Sequence, residues 1–363
     1  MKVLLVDLET EWRGGQNQAL LLLKGLRARG HSAELVAPVG SALQQRARAA
    51  GIPVHAVERH FLRARAAAQL RRLTKKLDCS LVHVNEPHAL TAAWLARTHR
   101  RVPLLVSRRV GYPISRNRFA RMRYDAAACI IAISRWSAER VIHSGIPESK
   151  LAIVYEGIEI PARPSSEQRA EARSRWGVPA DAPLLGCVGV LSPDKGQEWL
   201  IRALAELRKK FPSARLLLAG DGPCRERLQR LAEKAGIADA VIFAGFIPDV
   251  ESVYAAMDVF LLPSFFEALS NALMSAMACA IPSIAFNLGG PAEIIEDGTS
   301  GLLVEPANVE ALCAAIAKVL SNANFAESLG EKGRQRIEQE FSADKMVDGI
   351  IDVYDAILAR APQ

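Results

Sequence analysis

The chain has 363 residues, a length that exceeds what one ordinary hydrophobic core organises. Of these residues 50% are apolar and 23% are charged, a composition that excludes a disordered or fibrous protein. No apolar run reaches the roughly 18–20 residues that a membrane-spanning helix needs. Residues 1–160 hold 26 Lys and Arg against 12 Asp and Glu, whereas the remainder holds 20 against 27. This asymmetry predicts that the N-terminal half meets an anionic partner such as phospholipid, a phosphorylated glycolipid or nucleic acid.

The first apolar run and the cysteines bear on the compartment. The run at 3–6 is short and meets Asp7 and Glu9, which is typical of a buried strand and not of a signal peptide. We therefore expect a cytoplasmic chain. The six cysteines have no paired spacing, which favours small buried hydrophobes over zinc ligands or disulfides.

Short apolar runs alternate with helical patterns along the N-terminal half, which predicts a doubly wound α/β domain. Its predicted strands lie at 3–6, 33–37, 81–84, 104–107 and 129–133, with a first helix over about 16–29. A polar segment at 160–166 predicts a linker. The alternation then restarts with strands predicted at 184–190, 215–219, 241–244, 259–262, 281–285 and 301–304, before an amphipathic helix from 343 to about 358.

Ligands of open parallel sheets bind at the carboxyl ends of the strands, so the loops there are the candidate sites. Gly14 and Gly15 open the first helix and predict either a phosphate site or a plain tight turn. Lys195 lies in a strand-to-helix loop, where its ammonium either neutralises a phosphate or is simply solvated.

The segment from Pro263 to Met277 places one carboxylate, Glu267, before a helix that begins near Ser270. Ser270 or Asn271 can cap this helix, whose free amides attract a diphosphate. Glu267 would accept hydrogen bonds from sugar hydroxyls or merely complement the helix dipole. Gly289, Gly290 and the Pro291 helix start repeat this arrangement.

Taken together, the motifs resemble glycosyltransferase family 4. They are, in order, Gly-x-x-Ser-Pro-x-Lys-Gly at 189–196, Ala-Gly-Asp-Gly-Pro at 219–223, Phe-x-Gly-Phe at 243–246, Pro-Ser-x-x-Glu at 263–267, Ala-Met-Ala at 276–278, and Gly-Gly followed by Glu-Ile-Ile-x-Asp-Gly-x-x-Gly over 289–301. The match is strong over about 185–305 and looser at the Gly14-Gly15 helix start.

The resemblance implies the GT-B fold, with two Rossmann-like doubly wound domains that face each other across a cleft. Residues 1–162, joined by a C-terminal helix at 343–363, would form the acceptor-side domain, and residues 163–342 the donor-binding domain. The implied enzyme is a retaining, metal-independent hexosyltransferase that needs no cofactor. It would move a sugar from a nucleotide-diphosphate donor, with a UDP-sugar favoured, to a glycan or glycolipid acceptor.

The resemblance also implies roles for individual residues. By position, Lys195 and Glu267 would be catalytic. Donor contacts would come from the following residues: Gly14, Gly15, Gly189, Lys195, Phe246, Ile247, Leu269, Ser270, Asn271 and Ser275.

Three positions depart from the family's pattern. Ser275 stands where the second motif glutamate is usual, and Val190 where an arginine accompanies the lysine. A histidine common in the N-terminal domain has no clear counterpart. Its region holds Arg108 and Arg109, which we regard with His88 as candidates for acceptor binding or for supplying positive charge.

The basic stretches 59–76 and 108–123 form either an anionic-lipid surface or solvated helix faces. A lipid-linked acceptor, as in lipopolysaccharide or other envelope glycan assembly, would explain them. Nucleic acid is disfavoured because few aromatic residues accompany the arginines. Two other functions stay open, a nucleotide-sugar epimerase of the same fold and a catalytically impaired nucleotide-sugar-binding or scaffold protein.

Overall fold

The structure is a computed structural model that describes residues 1–115, 117–248 and 250–360. The chain forms two compact units. The N-terminal unit comprises residues 1–157 and the segment that begins at Ser342, and the C-terminal unit comprises Ile158–Phe341.

Strands and helices alternate through the N-terminal unit. In chain order they are β1 (Lys2–Val6), α1 (Gly14–Ala28), β2 (Ser32–Pro38), α2 (Ala42–Ala49), β3 (Val54–Val57), α3 (Leu62–Lys76), β4 (Leu81–Val84), α4 (Pro87–Leu95), β5 (Leu104–Arg108), α5 (Arg118–Asp125), β6 (Cys129–Ala132), α6 (Arg135–His143) and β7 (Leu151–Ile153).

These strands form a parallel sheet whose order is β3-β2-β1-β4-β5-β6-β7 over the described residues. Successive side chains of a strand point to opposite faces, and β1 supplies both cores. Val3 and Leu5 pack with the apolar side of α1, whereas Leu4 and Val6 pack into a second cluster with α3 and α4. The continuous apolar run of β1 is therefore explained by burial on both faces.

The C-terminal unit repeats the alternation. Its elements are α7 (Ser166–Arg175), β8 (Leu184–Val188), α8 (Gln197–Leu207), β9 (Arg215–Ala219), α9 (Arg225–Lys234), β10 (Val241–Gly245), α10 (Glu251–Ala256), β11 (Val259–Leu262), α11 (Asn271–Ala278), β12 (Ser283–Phe286), α12 (Pro291–Ile294), β13 (Leu302–Val304), α13 (Val309–Leu320) and α14 (Ala323–Glu340). Its described strands form a parallel sheet in the order β10-β9-β8-β11-β12-β13.

The last helix, α15 (Ala343–Arg360), packs on α1 within the N-terminal unit. The hydroxyl of its buried Tyr354 forms a hydrogen bond with Nδ1 of His83 on β4 (2.6 Å). The other ring nitrogen of His83, Nε2, forms a hydrogen bond with the Ser107 hydroxyl (2.8 Å). Burial, with a contribution from the Arg109 charge, lowers the pKa of His83 to about 3. The helix is thus fixed by a neutral buried histidine in addition to its apolar face.

The structure confirms the predicted α/β class and places a strand at each predicted position, with shifted ends. The strand predicted at 184–190 ends at Val188, and the one predicted at 281–285 begins at Ser283, after Pro282, which has no N–H to donate. The sequence reading missed β3 and β7, which are short edge strands with partly exposed residues.

Two further expectations can be compared with the described residues. In the segment 160–166, predicted as a linker, no helix begins before Ser166, where Ser165 caps α7 through a reciprocal bond with Gln168. Among the described helices, none is long and apolar enough to cross a membrane.

Candidate active site

The loops that follow the strands of the C-terminal unit are joined to one another by main-chain hydrogen bonds. The Gly189 N–H donates to the Ala219 carbonyl (2.9 Å), and the Gly220 N–H donates to the Gly245 carbonyl (2.8 Å). The loop of Lys195 is tied to the loop after β11 by the Phe265 N–H, which donates to the Asp194 carbonyl (2.8 Å). The loop after β12 joins through the bond from the Gly290 N–H to the Glu267 carbonyl (2.9 Å). We call this set the strand-end loops.

Two motif glycines permit this close approach. A Cβ on Gly220 would lie 1.9 Å from the Gly189 carbonyl oxygen, and one on Gly196 would lie 2.2 Å from the Pro263 carbonyl oxygen. Gly196 also has φ +65°, a conformation that favours glycine. These two glycines are therefore required by contacts between loops, a role that the sequence alone did not reveal.

The Lys195 and Glu267 side chains contact each other and so link two of the strand-end loops, although 72 residues separate them in sequence. The Lys195 ammonium donates to Glu267 Oε2 at 2.5 Å, and both side chains are largely buried. Burial raises the pKa of the Glu267 carboxyl above its ordinary value, and the adjacent ammonium opposes that shift. A partly buried cation beside a carboxylate can bind an anion and a hydroxylated ligand together.

The helix α11 begins where the sequence predicts it. Ser270 is its N-cap, and the Ser270 hydroxyl accepts from the Leu273 N–H (3.3 Å). Leu269 is buried just before the cap, and Asn271 is the first helical residue. Ser275 follows one turn later on α11. The first turn of α11 therefore follows directly, in sequence, the loop that carries Glu267.

The remaining C-terminal candidates lie on loops after β8 and β10. Phe246 follows the end of β10 with 77% of its surface exposed, beside the half-buried Ile247. Gly189 and Val190 follow β8, and the Val190 side chain is 56% exposed. An exposed phenylalanine at a strand end offers a flat apolar surface to a ligand.

In the N-terminal unit, Gly14 and Gly15 open α1 after β1, as predicted. A buried carboxylate network that the sequence reading missed holds this turn. Asp7 Oδ2 accepts from the side chains of Gln16 (2.9 Å) and Asn85 (2.6 Å). The Asn85 amide also donates to the Gly15 carbonyl (3.0 Å). The sequence signal for this network is that two polar residues, Asp7 and Asn85, directly follow the buried strands β1 and β4.

Arg109 and Arg108 have internal partners. Arg109 donates to Asn85 Oδ1 (3.0 and 3.1 Å) and forms a buried ion pair with Glu156 (2.5 Å). Arg108 is buried and donates to the Tyr112 carbonyl. Each arginine therefore has a contact that positions it within the N-terminal unit. The predicted roles of Arg108 and Arg109, in acceptor binding or in supplying positive charge, stay predictions.

His88 lies at the start of α4, half exposed, and accepts from the Arg63 guanidinium at Nδ1 (2.5 Å). Ligand atoms of Glu9, Glu86 and His88 lie within 4.8 Å of one another, a spacing that a metal ion could use. The Glu86 carboxylate, however, already accepts from backbone amides, including those of Leu8 (3.2 Å) and His88. Burial, with the nearby charge of Asp7, raises the pKa of Glu86 to about 7.

Comparison with known proteins follows the same division of the chain. The family described as Glycosyl transferases group 1 matches residues 168–336, and Glycosyltransferase Family 4 matches residues 12–160. The chain is 30% identical over 344 residues to the GDP-mannose-dependent alpha-(1-6)-phosphatidylinositol monomannoside mannosyltransferase of Mycolicibacterium smegmatis, covering 89% of this chain and 90% of the relative.

Two other similarities are informative. The lipopolysaccharide core biosynthesis glycosyltransferase LpsE of Rhizobium meliloti is 33% identical over 52% of this chain and 54% of its own. The solved structure of Anabaena HepE in complex with UDP has a TM-score of 0.84 at 23% identity, covering 98% of this chain and all of that one. With the paired motif residues gathered on the strand-end loops, these matches establish that the chain belongs to glycosyltransferase family 4 and has the GT-B fold.

Proposed function

We propose that the protein transfers a sugar, with retention and without a metal, from a nucleotide-diphosphate donor to a lipid-linked or envelope glycan acceptor. The Lys195–Glu267 pair among the strand-end loops carries this proposal. A UDP-sugar is the favoured donor, supported by the HepE structure, which is a complex with UDP. The mannosyltransferase relative is named for GDP-mannose, so the base needs a direct test.

The diphosphate would bind at Lys195 and the first turn of α11. Cleavage of the bond between the sugar and the diphosphate leaves negative charge on the departing oxygen, which the ammonium and the amides after Ser270 stabilise. The acceptor hydroxyl forms the new bond to the anomeric carbon on the face that the diphosphate leaves. Its proton passes to the departing phosphate oxygen, so the step balances without a protein base.

Glu267 would accept hydrogen bonds from the hydroxyls of the donor sugar. Its bond from Lys195 directs Oε2 of the carboxylate toward the ammonium. When the diphosphate binds, the ammonium interacts with both partners, since one lysine carries three N–H donors.

We expect Phe246→Ala to weaken nucleotide binding roughly tenfold, because stacking of a base on an aromatic ring contributes about 1–3 kcal/mol. Calorimetric titration with UDP, GDP and ADP tests both the base and this residue. Phe61, a phenylalanine of the N-terminal unit with 72% of its surface exposed, provides the matched control. An unchanged affinity in Phe246→Ala would remove this residue from the base site, and no binding of any nucleotide by the native chain would contradict the donor proposal.

The lipid-linked acceptor is supported by the chemistry of α5. Its surface alternates the exposed arginines Arg118 and Arg121 with Phe119 and Met122, which are 48% and 45% exposed. Basic residues attract anionic headgroups, each worth about 1 kcal/mol near a membrane, and apolar side chains insert at the interface. The mannosyltransferase relative is named for a phosphatidylinositol glycolipid acceptor.

We expect the native protein to co-sediment with vesicles of phosphatidylcholine and phosphatidylglycerol, and weakly with phosphatidylcholine alone. Phe119→Ser with Met122→Ser should lose most of this binding. Val39→Ser with Ile142→Ser changes two exposed apolar residues elsewhere in the unit and should retain it. Equal binding by the two double variants would exclude α5 as the membrane surface.

Donor turnover distinguishes the alternative functions. A nucleotide-sugar epimerase would release nucleotide from the donor without any acceptor. A scaffold protein would bind nucleotide and release none, a possibility that Ser275 and Val190 favour because both replace charged family residues. Release of nucleotide that depends on added acceptor would support transfer over both.

A further inference from the structure

A small groove lies between α8 and α9 of the C-terminal unit, and none of its lining residues belongs to the strand-end loops. Its volume is about 230 Å³. The residues that line it are Glu198, Arg202, Arg227, Leu228, Arg230, Leu231 and Lys234. Because most of the charged residues in this set are cations, we call it the arginine groove.

Helix periodicity brings the charged side chains of the groove together. Arg227, Arg230 and Lys234 follow one another on α9 at intervals of three and four residues, which places them on one face of that helix. On α8, Glu198 and Arg202 are four residues apart and face the same groove. The four cations are therefore gathered along a single line of contact between two helices.

Two of these cations have no carboxylate partner. Arg202 and Lys234 are exposed, and neither forms an ion pair in the part of the chain that the structure describes. The Arg202 guanidinium instead lies over the ring of Trp199, 5.2 Å from its centre. Both side chains are therefore available to an anion that enters the groove.

The other two cations are only partly neutralised. Arg227 Nη1 lies 3.0 Å from Glu198 Oε2, and Arg230 lies 3.5 Å from Glu226. Both arginines are more than half exposed, and ion pairs in such surroundings are weak. The lining carries a net charge of +3, although residues 161–363 as a whole hold 27 acidic against 20 basic residues.

This arrangement suits a compact phosphate compound. Guanidinium groups bind phosphate oxygens in pairs, and a cleft lined by one sign of charge concentrates ions of the opposite sign. The volume is below the roughly 300–1,000 Å³ of sites for drug-sized molecules. A membrane surface fits less well, because none of the large hydrophobic residues of α8 and α9, two fully described helices, is exposed.

We propose that the arginine groove binds a compact, multiply charged phosphate compound from solution, with pyrophosphate as the simplest example. Arg202 and Arg230 bind the phosphate oxygens, and Lys234 adds attraction. Glu198 competes with the ligand for Arg227 and so disfavours anions of low charge. The proposed transfer of a sugar assigns no role to this groove, so the inference does not depend on that reaction.

Arginine modification tests the proposal residue by residue on the native protein. Phenylglyoxal modifies exposed guanidinium groups, and peptide mass spectrometry then measures the rate at each arginine. Pyrophosphate should slow the modification of Arg202 and Arg230 severalfold. Arg175 is the matched control, since it is exposed and also lies 5.2 Å from a tryptophan ring, and its rate should not change. No slowing at Arg202, or equal slowing at Arg175, would overturn the proposal.

Calorimetric titration with pyrophosphate at fixed ionic strength supplies the second test. Arg202→Gln with Arg230→Gln should weaken binding roughly tenfold, as expected when two exposed ionic contacts are lost. Arg175→Gln with Lys332→Gln removes the same charge at exposed positions outside the groove and should keep the native affinity. Equal affinities in these two double variants would contradict the groove.

Glu198→Gln should tighten pyrophosphate binding severalfold, because the substitution removes a negative charge and frees Arg227. Weaker binding in this variant would count against the proposed competition. Lys195 is assigned to a diphosphate as well, so the titrations are repeated with Lys195→Ala. The loss caused by Arg202→Gln with Arg230→Gln should have the same size there. A loss seen only when Lys195 is present would place the pyrophosphate at the donor site and overturn the proposal.

Vesicles distinguish a lipid headgroup from a free phosphate compound. Co-sedimentation with vesicles of phosphatidylcholine and phosphatidylglycerol should be equal in the two double variants. A selective loss in Arg202→Gln with Arg230→Gln would assign the groove to lipid and overturn the choice of a ligand in solution. A native chain that binds pyrophosphate in the groove but no nucleotide would contradict the donor proposal alone.

Discussion

Lys195→Ala is expected to reduce turnover of a nucleotide-sugar donor by about a hundredfold or more. Loss of a single preorganised donor at a developing negative charge typically costs about 10²–10³ in rate. The affinity for the nucleotide should fall as well, because the ammonium would contact the diphosphate before and during the step. Steady-state kinetics together with calorimetry would measure both effects.

This substitution also leaves the largely buried Glu267 without its ion-pair partner, so folding must be checked in parallel. Lys209, which forms an exposed ion pair with Glu206 (2.6 Å), provides the matched control. Lys209→Ala should keep native turnover and a native melting temperature. If Lys195→Ala with Glu267→Gln folds stably and turns over at the native rate, the pair is structural and the proposed site is wrong.

Tyr354→Ala is expected to give the largest loss of stability in the N-terminal unit, about 3–5 kcal/mol, as is usual when a buried aromatic side chain is truncated. Tyr354 is fully buried on α15, and its hydroxyl is the partner of His83 Nδ1. The variant opens a cavity between α15 and the sheet and leaves a buried histidine nitrogen unpaired. Chemical denaturation followed by circular dichroism would record the loss.

Two variants separate these contributions. Tyr354→Phe removes only the hydroxyl and should cost about 1–3 kcal/mol, the penalty for an unsatisfied buried polar group. Asp355→Ala alters an exposed residue on the same helix and should change stability by less than about 0.5 kcal/mol. A native denaturation midpoint for Tyr354→Ala would show that α15 contributes little to the unit's stability.

Much of the fold can be predicted from the sequence because strands buried on both faces appear as unbroken apolar runs. The runs in β1 and β9 show this clearly. The edge strands β3 and β7 could not be found in the same way, since their partly exposed residues lack that signal. Their positions depend on pairing with β2 and β6, which is a tertiary property.

The candidate site was only partly predictable for a related reason. Motif order identified Lys195 and Glu267 separately, and nothing local in the sequence indicates that they form an ion pair. The network of Asp7 with Asn85 was likewise missed, because it joins residues that are distant in sequence. Such contacts follow from the order of strands in the sheet, which periodicity does not determine.

The hydrogen bonds among the strand-end loops have an evolutionary consequence. These bonds use peptide groups, so the frame of the strand-end loops is largely independent of which side chains project from it. Exposed positions such as Val190 and Phe246 can therefore mutate with little effect on the frame, while glycine must persist at positions such as Gly220. A lineage with this architecture can therefore vary the exposed side chains of these loops while the main-chain frame that holds the loops together stays the same.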